Sequence, residues 1–195
     1  MGDFGRGRAA TAVDLSSDAP VELMELGADR GPDLEDVREL LGCAFGGELS
    51  EDDWVHALGG VHLVAMHAGA LVGHVAVVER ELSQGTRTWR TGYVEALGVH
   101  PSRRRRGTGS RLMARAEALI TERYELGALA ASEDGSPLYQ RRGWLPWRGE
   151  TWARTLDGVV RTEAEDDCVF ILPVSATCPD RRGSIVCDWR QGDPW

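Results

Sequence analysis

Gly92-Tyr93-Val94-Glu95-Ala96-Leu97-Gly98-Val99-His100-Pro101-Ser102-Arg103-Arg104-Arg105-Arg106-Gly107-Thr108-Gly109 is the stretch on which the reading of this chain turns. Its first half carries the marks of a strand. Tyr93, Val94, Leu97 and Val99 are β-branched or apolar, and Pro101 ends the run. Its second half, Arg104 to Gly109, has the form R-x-x-G-x-G and opens a helix in which Leu112, Met113, Ala116, Leu119 and Ile120 recur at helical spacing. A glycine-bearing turn that feeds a helix leaves several backbone N–H groups unpaired at the positive end of the helix dipole, which makes an anion site. Gly107 and Gly109 have no side chain to hold a phosphate off the backbone. Arg104, Arg105, Arg106, Gly107, Thr108 and Gly109 are therefore the expected cradle.

Upstream, Val61 to Met66 and Leu71 to Val78 read as strands around His67-Ala68-Gly69-Ala70, a hairpin with a glycine in its turn. A Gln84-Gly85 turn leads into the strand Thr88 to Val99. Before these, Val21 to Leu26 reads as a first strand. Asp33 to Phe45 reads as a helix behind Pro32, and Glu51 to Leu58 as a short helix closed by Gly59-Gly60. Downstream, Gly127 to Ser132 is a short strand, Cys168 to Leu172 another closed by Pro173, and Ile185 to Trp189 a further one. Three sequential antiparallel strands followed by helix, strand, helix and strand give an α+β fold, a mixed and mostly antiparallel twisted sheet flanked by helices.

The 195 residues suit a single domain, expected over 21–195, behind a Gly-, Ala-, Ser- and Asp-rich segment, 1–20, expected to be disordered. A net charge of −9 disfavours a nucleic-acid partner and fits a cationic one. The four arginines from Arg103 to Arg106 are too few for a phosphate-backbone footprint and have no aromatic residues among them. No run approaches a membrane span or a signal peptide, so the chain is expected in the cytoplasm, off the membrane. Cys43, Cys168, Cys178 and Cys187 form no CxxC pair, and with no H-x-x-x-H either, no metal is expected. His62 and His74 lie in core strands and read as satisfied structural residues.

Glu95 sits mid-strand between apolar neighbours, where a carboxylate is costly to bury without a partner or a task. It reads either as a proton acceptor, directly or through water, or as an outward strand residue. Strict alternation puts Tyr93, Glu95 and Leu97 on one face. Acidic residues cluster elsewhere: Glu48, Glu51, Asp52 and Asp53 before Trp54, then Glu163, Glu165, Asp166 and Asp167 before a strand, then Asp188, Asp193 and the carboxylate of Trp195. One such cluster is ordinarily a solvated face. Three of them suit a polycationic ligand, because each ammonium takes its own charge-assisted partner.

The strand, the R-x-x-G-x-G loop and the helix resemble the acetyl-coenzyme A motif of the GCN5-related N-acetyltransferases (GNAT). Pro137-Leu138-Tyr139-Gln140-Arg141-Arg142-Gly143-Trp144 resembles the Y-x-x-x-G-F ending of that superfamily. The resemblance implies acetyl-coenzyme A as co-substrate, with its pyrophosphate on the loop. It also implies that the strand before the loop splays from its neighbour at a bulge, which lays Leu97, Gly98 and Val99 along the thioester and pantetheine. Gly98 is where a bulge forms most easily. Tyr139 then matches the acid that protonates the leaving thiolate, the alternative being a packing residue with its hydroxyl on a backbone carbonyl.

Finer features resemble the aminoglycoside 2′-N-acetyltransferases over about residues 32–195. They include Asp53-Trp54-Val55-His56-Ala57-Leu58-Gly59-Gly60-Val61-His62, Gly92-Tyr93-Val94-Glu95-Ala96 and Cys187-Asp188-Trp189-Arg190-Gln191-Gly192-Asp193-Pro194-Trp195. This resemblance implies an aminoglycoside acceptor held by Glu48, Asp53, Glu95, Asp193 and the Trp195 carboxylate, with Glu165 and Asp166 contributing. Two positions depart from the family pattern: Glu48 stands where aspartate is usual and Ala130 where serine is usual. Other acceptors remain open (a polyamine, an amino sugar, a protein N-terminus), as does a non-catalytic cofactor sensor. Superfamily members often form dimers, so a homodimer along an exposed sheet edge is allowed.

Overall fold

The computed structural model of the chain describes residues 15, 19–27 and 31–195. The expected disordered segment, 1–20, lies outside the described residues except at 15, 19 and 20. Ten strands form one sheet among the described residues. β1 (Val21–Glu25), β2 (Val61–His67), β3 (Ala70–Gln84) and β4 (Arg87–Val99) follow each other antiparallel, and β5 (Leu126–Ala130) joins β4 in parallel. The helices are α1 (Leu34–Ala44), α2 (Glu51–Ala57), α3 (Thr108–Arg123) and α4 (Ser136–Arg141). The hairpin between β2 and β3 turns on Ala68 and Gly69, both at positive φ, as a two-residue turn matched to strand twist requires.

Local signals start the helices where expected. Asp33 caps α1 by accepting the N–H groups of Glu35 and Asp36, and Asp36 reaches back to the Asp33 N–H. Ser50 caps α2 in the same reciprocal way with Asp53. α3 buries Leu112, Met113, Ala116, Leu119 and Ile120 against Leu63, Val75, Val77, Val94 and Leu129. Each of these leucine, isoleucine, methionine and valine side chains contributes about 1.5–3 kcal/mol of burial. The opposite face of the sheet packs Leu82, Trp89, Tyr93, Leu126, Trp147 and Ile171 with Trp195. α1 and α2 close a third cluster of Val37, Leu41, Trp54 and Val64.

The region past Tyr139 holds strands that the sequence pattern does not announce: β6 (Leu145–Pro146), β7 (Thr151–Thr155) and β8 (Gly158–Arg161). β9 (Val169–Pro173) pairs with β5, and β10 (Ile185–Asp188) sits between β3 and β7. β3 is long enough to serve two neighbours. Its first half pairs with β2, and Leu82 and Ser83 near its end pair with Cys187 and Val186 of β10. This brings the last residues of the sequence back beside the middle of the sheet.

Candidate active site

β4 and β5 pair only from Thr91↔Leu126 to Tyr93↔Ala128. Beyond Tyr93, β4 runs on to Val99 without β5 beside it, while β5 stays with β9. The two parallel strands thus part and leave a cleft floored by unpaired backbone. The cause is in β4. Against β3, the partners step from Ala76↔Glu95 to His74↔Gly98, two residues on one strand against three on the other. That extra residue is a bulge, and Ala96 carries its strain at φ +48°.

The expectation that Gly98 forms the bulge is therefore corrected. Gly98 is in register with His74, and its task is close packing. A Cβ there would stand 2.7 Å from Leu41 Cδ2 and 3.2 Å from Ala44 Cβ. The expectation that Tyr93, Glu95 and Leu97 share a face is corrected too. Val94 packs into the α3 core before the bulge, and Leu97 and Val99 pack into it afterwards. One inserted residue moves the alternation to the other face. Glu95 and Tyr93 stay on the side away from α3.

At the end of β4 the chain makes the anticipated turn. Arg105 and Gly107 have positive φ, +58° and +82°, and the helical ladder of α3 begins with the Arg111 N–H on the Gly107 carbonyl. The N–H groups of Thr108 to Ser110 precede the ladder and have no intrahelical acceptor. A Cβ on Gly109 would meet Val99 at only 3.7 Å, ordinary contact, so packing within the protein does not demand a glycine there. The arginines divide. Arg103 is buried and donates to the Leu15 carbonyl at 3.0 Å. Arg104, exposed beside the turn, donates to the Val99 and Ala44 carbonyls and so closes the C-terminal end of α1. Arg105 and Arg106 are exposed at the mouth of the loop.

Across the cleft, Tyr139 of α4 is buried against Trp144 and Phe170, with ring centroids 6.2 Å away in each case. No hydrogen bond joins its hydroxyl to a backbone carbonyl among the described residues. Burial, and then the charge of Glu95, push its pKa up to about 12, so the phenol is protonated at neutral pH. α4 is fastened to α3 by Glu117, which accepts two bonds from Arg142, at 2.6 and 2.5 Å, and one from the Trp144 indole at 2.9 Å. This clamp fixes the turn from which Tyr139 projects.

The acidic wall is organised by a residue that the sequence reading missed. Arg190, just past β10, donates to the Glu95 carboxylate, to the Trp195 main-chain oxygen at 2.5 Å and to the Asp193 carbonyl at 3.1 Å. Its guanidinium lies 5.4 Å from the centroid of the Tyr93 ring, and that of Arg80 lies 4.8 Å from it. The tail is tied down further. His56 donates from Nε2 to the Gln191 carbonyl at 2.7 Å, and the Trp195 indole donates to Thr162 Oγ1 at 3.0 Å. Burial raises the pKa of Glu95, and the Arg190 charge pulls the other way.

The residues expected at an acceptor site fall into two groups. Glu95, Asp193 and the Trp195 main chain share the Arg190 hub. Asp53, exposed on α2, adds its charge to the field at Glu95, and Glu165 is raised by burial and then by Asp193. Glu48 and Asp166 make no hydrogen bond to that hub among the described residues. Glu48 is exposed on the loop between α1 and α2. The Asp166 carboxylate is held by Arg161 and by the Thr151 N–H and hydroxyl, and these bonds, the Arg161 one foremost, take its pKa down to about 2. These bonds join the turn after β8 to β7.

Comparison with known proteins agrees with this geometry. Residues 30–146 match the family model described as acetyltransferase (GNAT) domain. An aminoglycoside 2′-N-acetyltransferase from Mycolicibacterium fortuitum is 42% identical over 164 residues, covering 83% of this chain and 84% of that one. A GNAT family N-acetyltransferase from Escherichia coli, solved in complex with CoA, superposes with a TM-score of 0.61 at 17% identity, covering 87% of this chain and 91% of that one. A GNAT acetyltransferase from Brucella melitensis, solved with acetyl-CoA, gives 0.58 at 16% identity, with 86% and 95% covered. The two structures share the fold. The family model, which covers more than half of the chain, settles the assignment: the chain belongs to the GNAT acetyltransferase family.

Proposed function

We propose that this protein transfers the acetyl group of acetyl-coenzyme A to the 2′-amine of aminoglycoside antibiotics, and so confers resistance to them, in the cytoplasm. The single observation that carries the reading is the identity of 42% to an aminoglycoside 2′-N-acetyltransferase across most of both chains. The cleft supplies what the chemistry needs. The thioester supplies an activated acetyl group, and transfer forms a C–N bond while the C–S bond breaks.

The chain's own groups then divide the work. Backbone N–H groups freed where β4 leaves β5 stabilise charge gathering on the carbonyl oxygen. Glu95 accepts the proton lost by the amine, directly or through water. Tyr139 donates to the departing sulfur. With its pKa near 12, above that of an ordinary thiol at about 8.5, its contribution is a hydrogen bond that strengthens as the thiolate forms. Thr108, Gly109 and the exposed Arg105 and Arg106 hold the pyrophosphate, and Leu97, Gly98 and Val99 line the pantetheine. Asp53, Glu165, Asp193 and the Trp195 main-chain oxygen receive the ammonium groups of the acceptor, with Glu48 at the rim.

Thiol release from acetyl-coenzyme A with two matched drugs tests this. Tobramycin carries a 2′-amine, and kanamycin A has a hydroxyl there. Turnover of the first and not the second is expected. Equal turnover of both would move the reaction to another amine, and turnover of neither by cofactor-bound protein would overturn the acceptor class.

A further inference from the structure

The bulge that opens the cleft is held by something other than its own sequence. Ala96 has no intrinsic reason to sit at φ +48°, yet its carbonyl meets a ring nitrogen. His74 Nδ1 lies 2.9 Å from the Ala96 oxygen, and His74 Nε2 lies 2.9 Å from His62 Nδ1. His74 is fully buried and His62 nearly so. A carbonyl can only accept, so His74 must carry its proton on Nδ1. Its Nε2 is then an acceptor, and His62 must donate to it from Nδ1. The pair therefore has one self-consistent tautomeric state, a two-ring chain that ends on the bulge.

Peptide planarity turns this into a statement about the cleft. In a trans peptide the carbonyl of Ala96 and the N–H of Leu97 point in opposite directions. The carbonyl is turned toward His74 on β3. The Leu97 N–H therefore points away from the His74 ring, on a stretch of β4 that β5 has already left beyond Tyr93. We infer that His74, backed by His62, is a positioning residue, which by holding the Ala96 carbonyl aims the Leu97 N–H into the acetyl-transfer cleft.

The inference rests on the acetyltransferase reading, and its test is chosen to separate the two. The variants are His74→Leu, which removes the donor, and His74→Asn, whose side-chain amide places an N–H where Nδ1 stands. The expected result is that His74→Leu lowers kcat about tenfold or more with the acceptor KM within about twofold, and that His74→Asn restores most of it. A second reading needs no acceptor at all. Acetyl-coenzyme A presents a carbonyl to the Leu97 N–H and coenzyme A does not, so His74→Leu should narrow the affinity gap between the two while His74→Asn keeps it. Should His74→Leu fail to fold, the ¹⁵N shifts of the wild-type imidazoles decide. A proton on His74 Nδ1 supports the inference and one on Nε2 overturns it. Unchanged kcat in His74→Leu, or equal losses in both variants, would also overturn it. Failure to acetylate any aminoglycoside, with the affinity gap behaving as expected, would instead count against the proposed acceptor alone.

Discussion

Exchanging the residues at positions 96 and 98 separates the two glycine-like tasks in β4. A methyl added at Gly98 meets Leu41 Cδ2 at 2.7 Å and Ala44 Cβ at 3.2 Å, with Phe45 Cε2 at 3.7 Å behind them. The side chains belong to α1 and its C-terminal turn, so Gly98→Ala must push the helix outward or force Leu41 from its rotamer. Overpacking of this kind costs about 1–3 kcal/mol. In a chain of this length each kcal/mol moves the thermal midpoint by about 2–4 °C, so a fall of about 2–12 °C is expected. Ala96→Gly acts the other way. Relief from the left-handed region returns about 1–2 kcal/mol, against about 0.5–1 kcal/mol lost to glycine's freedom in the unfolded chain. The net is about 0–1.5 kcal/mol in favour of the folded state. Thermal and urea unfolding of both variants measures the two effects. A neutral Gly98→Ala beside a destabilised Ala96→Gly would refute the placement of the bulge.

The remaining expectations concern the cleft. Tyr139→Phe removes the donor to sulfur and should lower kcat about 10–100-fold while leaving the thermal midpoint nearly unchanged, read by steady-state kinetics and calorimetry. Glu95→Gln should lower kcat about 10²–10⁴-fold and abolish the acid limb of the pH profile, which a merely structural Glu95 would leave in place. Arg190→Gln takes away the charge that opposes the burial-driven rise at Glu95, so the acid limb of kcat/KM should move to higher pH; an unmoved limb would separate Arg190 from the chemistry. His74 holds a folded-state pKa of about 4, below its ordinary 6.5, chiefly because burial disfavours the imidazolium. Between those values the unfolded chain binds a proton that the folded chain refuses. Its contribution is thus fully present above pH 6.5 and falls away toward pH 4, by roughly 3 kcal/mol. Unfolding midpoints against pH for wild type and His74→Asn check this, and parallel curves would contradict it.

How far the sequence could be read depended on whether a residue's task was local. Pro32 was legible as a helix start and Gly59-Gly60 as a helix stop, because each signal acts within a turn of the residue that carries it. Ala96 was not. Alanine carries no mark of positive φ, and its conformation is imposed by His74 from the neighbouring strand. Gly98 misled for the complementary reason, since a glycine in a strand signals a bulge and a close approach equally well. Arg104 carried no sign of the two carbonyls it meets, because α1 reaches it only in the fold. Arg190 stood in the sequence only as one residue of the Cys187–Trp195 stretch, and the pairing of β10 with β3 and β7 is what brings it to Glu95. β7 and β8 escaped notice because their outward residues, such as Val159 and Val160, stay exposed and blur the alternation that marks a half-buried strand.

The wall built by residues 188–195 reaches its partners across long loops: His56 to Gln191, Arg80 to Asp188, Glu95 to Arg190. The floor and the glycine turn, by contrast, come from β4 and α3, which adjoin in the chain. The two halves of the cleft therefore belong to different cooperative units. Beyond Asp188, where β10 ends, the tail is held by a few polar contacts and Trp195 and by no strand pairing, so it is the segment expected to open first in native-state hydrogen exchange. The nucleotide-binding half stays formed during such openings. A ligand that bridges Glu95 and the tail would slow exchange in both units together, whereas the cofactor alone would protect the turn and leave the tail exchanging at its own rate.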